Sequence, residues 1–393
     1  MLNFQYYAPT KAVFGKDAEL ETGSLVKQEK CSKVLLHYGG QSAKKSGLLD
    51  RICKALEEYD VDYVMLGGVV PNPRLSKVYE GIELCRKEGV DFILAVGGGS
   101  VIDSAKAIGY GMANPDCDVW DLYTGKARPK GCMLVGAVLT IAAAGSEMSD
   151  SSVITNEDGW YKKALNTNYA RCRFAVMNPE LTYTLPEYQT ESGCTDIMMH
   201  TMERYFVLED TMKITDGIAE ALMRNVMENA KILLKEPENY DARAEIMWCS
   251  TLSHNDLTGC GTNGGDWATH LIEHELGGLF DVAHGAGLAA VWGSWARYVM
   301  DEKPERFAKF AENVMGIEDQ GDVKKTALAG IEAVEAFYRE IHMPTNLREL
   351  GVEPTEEQIR DMAMKATNND TVELGVFKKL KAEDLIRIYT AAK

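Results

Sequence analysis

The run Phe92-Ile93-Leu94-Ala95-Val96 passes without a break into Gly97-Gly98-Gly99-Ser100, after which Val101, Ala105, Ile108 and Met112 continue at helical spacing. An apolar strand that turns through three glycines straight into a helix start is a β-turn-α junction. The missing side chains let backbone N–H groups approach a guest closely, and the helix dipole favours negative charge there. A pyrophosphate is the natural occupant. The pattern is not Gly-x-Gly-x-x-Gly, and a second reading makes Ser100 and Asp103 a capping box, with the glycines serving only a tight turn. Lys106, one turn on, either is a solvated helix residue or reaches back toward the loop.

The neighbouring segments repeat the alternation. Residues 34–38, 61–66, 92–96 and 133–139 read as short strands, and residues 42–59 and 75–87 as helices. This is the pattern of a parallel sheet covered by helices. Its character changes near Pro179 and Pro186, beyond which long helical periodicities dominate, as in residues 214–234, 242–257, 267–279 and 326–340. The expected fold is an α/β dinucleotide-binding, Rossmann-like domain over residues 1–186, followed by an all-α metal-binding and catalytic domain over residues 187–393.

The first strand end bears on which dinucleotide fits. Tyr38 is followed by Gly39-Gly40-Gln41-Ser42, with Lys44 and Lys45 close behind and no carboxylate before Asp50. An acid at this place commonly holds a free 2′-hydroxyl and repels a 2′-phosphate. Its absence favours NADP(H) over NAD(H).

The chain carries 59 acidic against 42 basic residues, a formal net charge of −17. Such a surface repels phosphate backbones and anionic lipids, which argues against nucleic acid and membrane partners. No apolar run approaches the roughly 20 residues that span a bilayer, and no basic-then-apolar leader opens the chain. Nine dispersed cysteines without a Cys-x-x-Cys pair read as reduced thiols, and the expected location is cytoplasmic.

Histidine is scarce, seven in all, yet five lie between His200 and His284. Asp196 and His200 share a helix face at i, i+4, and His270 and His274 repeat that spacing on a second expected helix. His284 sits in Ala283-His284-Gly285-Ala286-Gly287, expected as a turn before another helix. One carboxylate with imidazoles suits a borderline divalent ion such as Zn²⁺ or Fe²⁺. A centre of one carboxylate and three imidazoles keeps a net positive charge, suited to a developing alkoxide. Two alternatives stand beside this. His270-Leu271-Ile272-Glu273-His274 also satisfies His-x-x-Glu-His, the motif of a zinc hydrolase in which Glu273 would be the general base. A catalytically inactive NADP(H)-binding module would use the glycine loop alone.

Nearly the whole chain resembles the iron-containing (group III) alcohol dehydrogenases, and within them the NADPH-linked butanol dehydrogenase and aldehyde reductase branch. The likeness runs through residues 34–40, 97–106, 145–149 and 265–276 to His284-Gly285-Ala286-Gly287-Leu288. The resemblance implies Asp196, His200, His270 and His284 as ligands of one divalent metal, Fe²⁺ before Zn²⁺, with His274 beside the site rather than bound to the ion, and the expected mechanism passes the proton through water or His274, the catalytic candidate. It places the cofactor on Gly97, Gly98, Gly99 and Ser100, with Asp103 near the nicotinamide end and further contacts from Thr140, Ser149 and Lys162, or Lys163 in a shifted register. Where the family usually reads Pro-Thr-Thr-Ala-Gly-Thr, this chain has Leu139-Thr140-Ile141-Ala142-Ala143-Ala144, which removes hydroxyls at 141 and 144. The implied activity is hydride transfer between NADP(H) and small aldehydes or alcohols, and a homodimer is expected on general grounds.

Overall fold

The structure is a computed structural model that describes residues 1–209 and 211–393. The chain divides into two compact units, Ala8–Thr184 and Leu185–Lys393, and Met1–Tyr7 belongs with the second. The sequence reading had put these seven residues in the first domain. The Leu2 N–H donates to the Gly261 carbonyl at 2.7 Å, which ties them to the helical unit instead.

The first unit holds strands β1 (Lys11–Phe14), β2 (Lys33–Tyr38), β3 (Asp62–Leu66), β4 (Phe92–Gly97), β5 (Val135–Leu139), β6 (Ser151–Asn156), β7 (Tyr161–Asn166) and β8 (Phe174–Met177). Its helices are α1 (Thr22–Gln28), α2 (Ser42–Lys45), α3 (Leu48–Glu57), α4 (Leu75–Glu88), α5 (Gly99–Ala113) and α6 (Val119–Tyr123). Six strands form one parallel sheet in the order β1-β8-β5-β4-β2-β3, and β6 and β7 pair antiparallel as a separate hairpin. Every residue of the central β4 is buried, which is why it reads as an unbroken apolar run. The edge strands β1 and β3 show the exposure expected of edges. Along one face Val34, Leu36, Phe92, Leu94 and Val96 join Leu25, Ile52 and Leu56 in a single core. Full burial of each such side chain stabilises by roughly 1.5–3 kcal/mol.

The continuous helix expected over residues 42–59 is two helices. Gly47, at φ 70°, turns the chain between α2 and α3. Strands β1 and β8 and the β6–β7 hairpin are absent from the sequence reading.

The second unit is helical: α7 (Glu187–Tyr205), α8 (Lys213–Leu233), α9 (Tyr240–Ser253), α10 (Ala268–Phe280), α11 (His284–Val299), α12 (Pro304–Asn313), α13 (Val323–Glu340), α14 (Glu356–Ala366) and α15 (Ala382–Ala391). Helix α7 is buried along its length from Thr190 to Tyr205, although much of it is polar. Charged groups on such a helix have to be paired or to hold a cation. Asp216 and Arg306 show the paired solution, with two contacts of 2.8 Å that, against the cost of burial, hold the Asp216 carboxyl down at about 2. No helix among the described residues is long and apolar enough to cross a membrane.

Candidate functional site

In the sheet order, β2 leads to β3 on one side while β4 leads to β5 on the other, so the strand order reverses between β2 and β4. Ligands of open α/β sheets bind at the carboxyl ends of the strands at such a switch point. Two glycine turns emerge there side by side, because Tyr38 and Val96 are register partners. Gly39 and Gly40 follow β2, and Gly97, Gly98 and Gly99 close β4 and open α5. Gly98 is the N-cap of α5 and no side chain caps that helix. The capping-box reading therefore fails. Asp103 Oδ2 accepts instead from the Val153 N–H at 3.1 Å, and Ser100 is only partly buried at the helix start. A side chain at Gly98 would meet Ile141 Cβ at 2.9 Å. The first position of the 139–144 segment to lose a hydroxyl thus packs on the glycine loop, and the Thr140 N–H donates to the Gly97 carbonyl.

Lys106 is fully buried and reaches back. Its Nζ donates to the carbonyls of Ser146, Ser149 and Ser151 at 2.7, 3.0 and 2.7 Å. This cage fixes the 146–151 turn beside α5. Ser149 is buried within it, its Oγ accepting from the Ser151 N–H at 3.3 Å. Burial raises the Asp103 carboxyl to about 6, with Lys106 and Lys162 among the groups pulling it back down. Lys162 is buried while Lys163 is only partly so, and Lys162 is the lysine whose charge Asp103 feels. Gly40, Gln41, Ser42, Lys44 and Lys45 are exposed at the end of β2.

In the helical unit, α7 and α10 and the first residue of α11 bring Asp196, His200, His270 and His284 together. Asp196 Oδ1 lies 3.4 Å from His200 Nδ1, 3.8 Å from His270 Nε2 and 3.8 Å from His284 Nε2. Asp196, His270 and His284 each offer a ligand atom within 4.8 Å of the others. Asp196 Oδ1, His200 Nδ1 and His270 Nε2 are buried and make no hydrogen bond. Three buried polar atoms left unsatisfied and turned toward one another are costly in a bare protein. A divalent cation would satisfy such atoms, and Asp196, His270 and His284 have ligand atoms close enough to share one, with His200 beside Asp196. Burial and the neighbouring His254 and His270 hold His200 well below its ordinary value. His270 goes the other way: burial depresses it, but Asp196 and Glu203 prevail and lift it to about 9.

His284 is the first residue of α11 rather than part of a turn before it. Its placement depends on Gly285, where a Cβ would come within 2.0 Å of the Ser192 carbonyl oxygen. Only glycine lets the start of α11 lie against α7. His274, one turn after His270, groups with Glu273 and His284 and has its ring centroid 5.8 Å from that of His284.

One residue goes unread in the sequence, and a second is given another role there. Glu203 Oε1 pairs with His270 Nδ1 at 2.9 Å, and Glu273 Oε2 pairs with His284 Nδ1. Glu203 falls on the Asp196–His200 face by spacing, a signal that was available in the sequence. The Glu273 contact overturns the hydrolase reading. This glutamate is fully buried and engaged by a histidine, not placed as a base for water.

The sequence model of the iron-containing alcohol dehydrogenases matches residues 9–179, and that of the C-terminal part of the same family matches residues 190–393. The chain belongs to the iron-containing alcohol dehydrogenase family. Among members of this family, it is 38% identical over 393 residues, the full length of both chains, to the probable NADH-dependent butanol dehydrogenase 1 of Bacillus subtilis. It is 35% identical over 395 residues, again 100% of both, to the NADPH-dependent aldehyde reductase YqhD of Escherichia coli. The crystal structure of NADH-dependent butanol dehydrogenase A from Thermotoga maritima superimposes with a TM-score of 0.95 at 36% identity, covering 100% of this chain and 99% of that one.

Proposed function

We propose that Asp196, His200, His270 and His284 hold the divalent metal of an NADP(H)-dependent oxidoreductase that interconverts small primary alcohols and aldehydes. Membership of the family makes the chain an alcohol dehydrogenase with a nicotinamide cofactor and an iron-type metal. The observation that carries the ligand assignment is the set of unsatisfied buried atoms around Asp196 Oδ1. Fe²⁺ is the ion we favour, with Zn²⁺ next, since this donor set accepts either.

When bound, the nicotinamide supplies the hydride and the metal supplies the electrophilic pull on the substrate oxygen. The chain's own residues do the rest. The N–H groups at Gly99 and Ser100, which open α5 and lack intrahelical acceptors, receive the pyrophosphate. Gly98 keeps the loop low enough for that approach, while Asp103 and Lys162, with Thr140 and Ser149 beside them, frame the nicotinamide end. His274 carries the proton to or from the substrate oxygen.

The absence of an acid among Gly39, Gly40, Gln41 and Ser42, with Lys44 and Lys45 exposed nearby, supports NADP(H) over NAD(H). The relatives named above include both NADH- and NADPH-linked enzymes, so this preference rests on the strand end alone. The nine unpaired thiols support a reducing, cytoplasmic setting, and a homodimer is the assembly expected on general grounds. The direct test of the site is metal content. His270→Ala and His284→Ala are expected to lose bound metal and activity together while still binding NADPH, and activity retained without metal would refute the assignment.

A further inference from the structure

We infer that Glu203 and Glu273 are a pair of positioning residues that fix which ring nitrogen His270 and His284 present, and that they thereby set how tightly the centre keeps its cation. The inference rests on the ligand assignment just made. Each histidine is held in the same way. Nδ1 is engaged by a glutamate oxygen, and Nε2 lies 3.8 Å from Asp196 Oδ1. A carboxylate can only accept from a ring N–H, so Nδ1 carries the hydrogen and the lone pair is left on Nε2. His200, the remaining histidine, is set against the His254 ring at 4.1 Å between centroids.

Both glutamates are locked by their surroundings. Glu203 is 2% exposed, and its two oxygens also accept the backbone N–H groups of His270 at 3.0 Å and Trp267 at 2.7 Å, at the N-terminus of α10. One side chain therefore fixes both the helix start and the ring it carries. Glu273 is fully buried, and Gly287 makes its room, since a Cβ there would come within 2.9 Å of Glu273 Cγ and 3.0 Å of Oε1. The two added carboxylates turn the formal charge of the assembled centre from positive to negative, which favours retention of the cation. Carboxylates that orient metal-bound imidazoles typically contribute 10- to 100-fold in metal affinity.

The test uses the full-length protein, stripped by chelator and titrated with Zn²⁺ against a chromophoric competitor, with Co²⁺ absorption as a second readout of ligand geometry. Glu273→Met keeps the bulk but removes the acceptor, and is expected to weaken Zn²⁺ roughly 10- to 100-fold and to alter the Co²⁺ spectrum. Glu273→Gln retains an acceptor oxygen without the charge and should fall between Met and wild type, and Glu203→Gln should weaken Zn²⁺ likewise. A purely packing role predicts wild-type affinity for Glu273→Met. That result, alongside a His284→Ala control that has lost Zn²⁺, would overturn the inference and leave the metal site standing. Wild-type affinity in His284→Ala as well would bring down the site assignment and this inference with it.

Discussion

At the scale of single residues, the chemistry is concentrated in groups whose burial leaves them one use. Asp196, His200 and His270 keep unsatisfied atoms in the interior, an arrangement that costs stability unless something occupies the space between them. His274 is different, grouping with Glu273 and His284 rather than with Asp196 and lying outside that unsatisfied set. Replacing His274 by Ala should leave metal content unchanged and lower kcat or shift its pH profile, and a variant that loses metal would make His274 a ligand instead. Gly39→Asp tests the strand end. It should raise KM for NADPH more than for NADH, and an unchanged preference would remove the argument for NADP(H). The i, i+4 spacing, a property of any helix, brings Asp196, His200, His270 and His274 forward as candidates, and the family resemblance selects Asp196, His200, His270 and His284 as the proposed ligands. Glu203 shares the Asp196–His200 face by spacing, but which rings Glu203 and Glu273 engage is fixed only once α7, α10 and α11 are packed together.

At the scale of elements, two close approaches position the reacting groups. The start of α11 lies against α7 only because residue 285 has no side chain. Gly285→Ala should lower the melting temperature, since overpacking of this kind costs about 1–3 kcal/mol, and should also weaken metal binding by displacing His284. A variant with wild-type melting temperature and metal content would show that the contact is not a constraint. The glycine turn after β4 was legible as a strand-to-helix junction, while for Lys106 the sequence leaves open whether it is solvated or reaches back toward the loop. Its burial follows from the 146–151 turn, whose three carbonyls point inward and need a donor. The helix over residues 42–59 was misread for a different reason: the left-handed residue at Gly47 breaks it, and a helical pattern on either side does not register that break.

At the scale of the whole molecule, a buried histidine of the sheet couples the first unit to pH. His37 in β2 is fully buried, with Nδ1 donating to the Leu66 carbonyl at 3.0 Å and Nε2 accepting from Ser104 Oγ at 2.9 Å. Burial lowers its pKa to about 4. Its contribution to stability is therefore complete above the unfolded value near 6.5 and is lost as pH falls from there toward 4. Wild type should lose about 2 kcal/mol more than His37→Gln between pH 7 and 4.5, read from denaturant midpoints, and equal losses would contradict the burial argument. The division into a parallel sheet unit and a helical unit was visible in the changing period of the chain. The place of residues 1–7 was not, since it depends on a backbone hydrogen bond to Gly261. The central claim is that this fold performs metal-dependent hydride transfer with NADP(H). Its most direct test is NADPH oxidation followed at 340 nm with butyraldehyde, on protein stripped by chelator and reloaded separately with Fe²⁺ and Zn²⁺. Activity that disappears with the metal and returns with Fe²⁺, and to a lesser degree with Zn²⁺, is the predicted result. Undiminished oxidation by metal-free protein, or none with either ion in protein that is folded and binds NADPH, would contradict it.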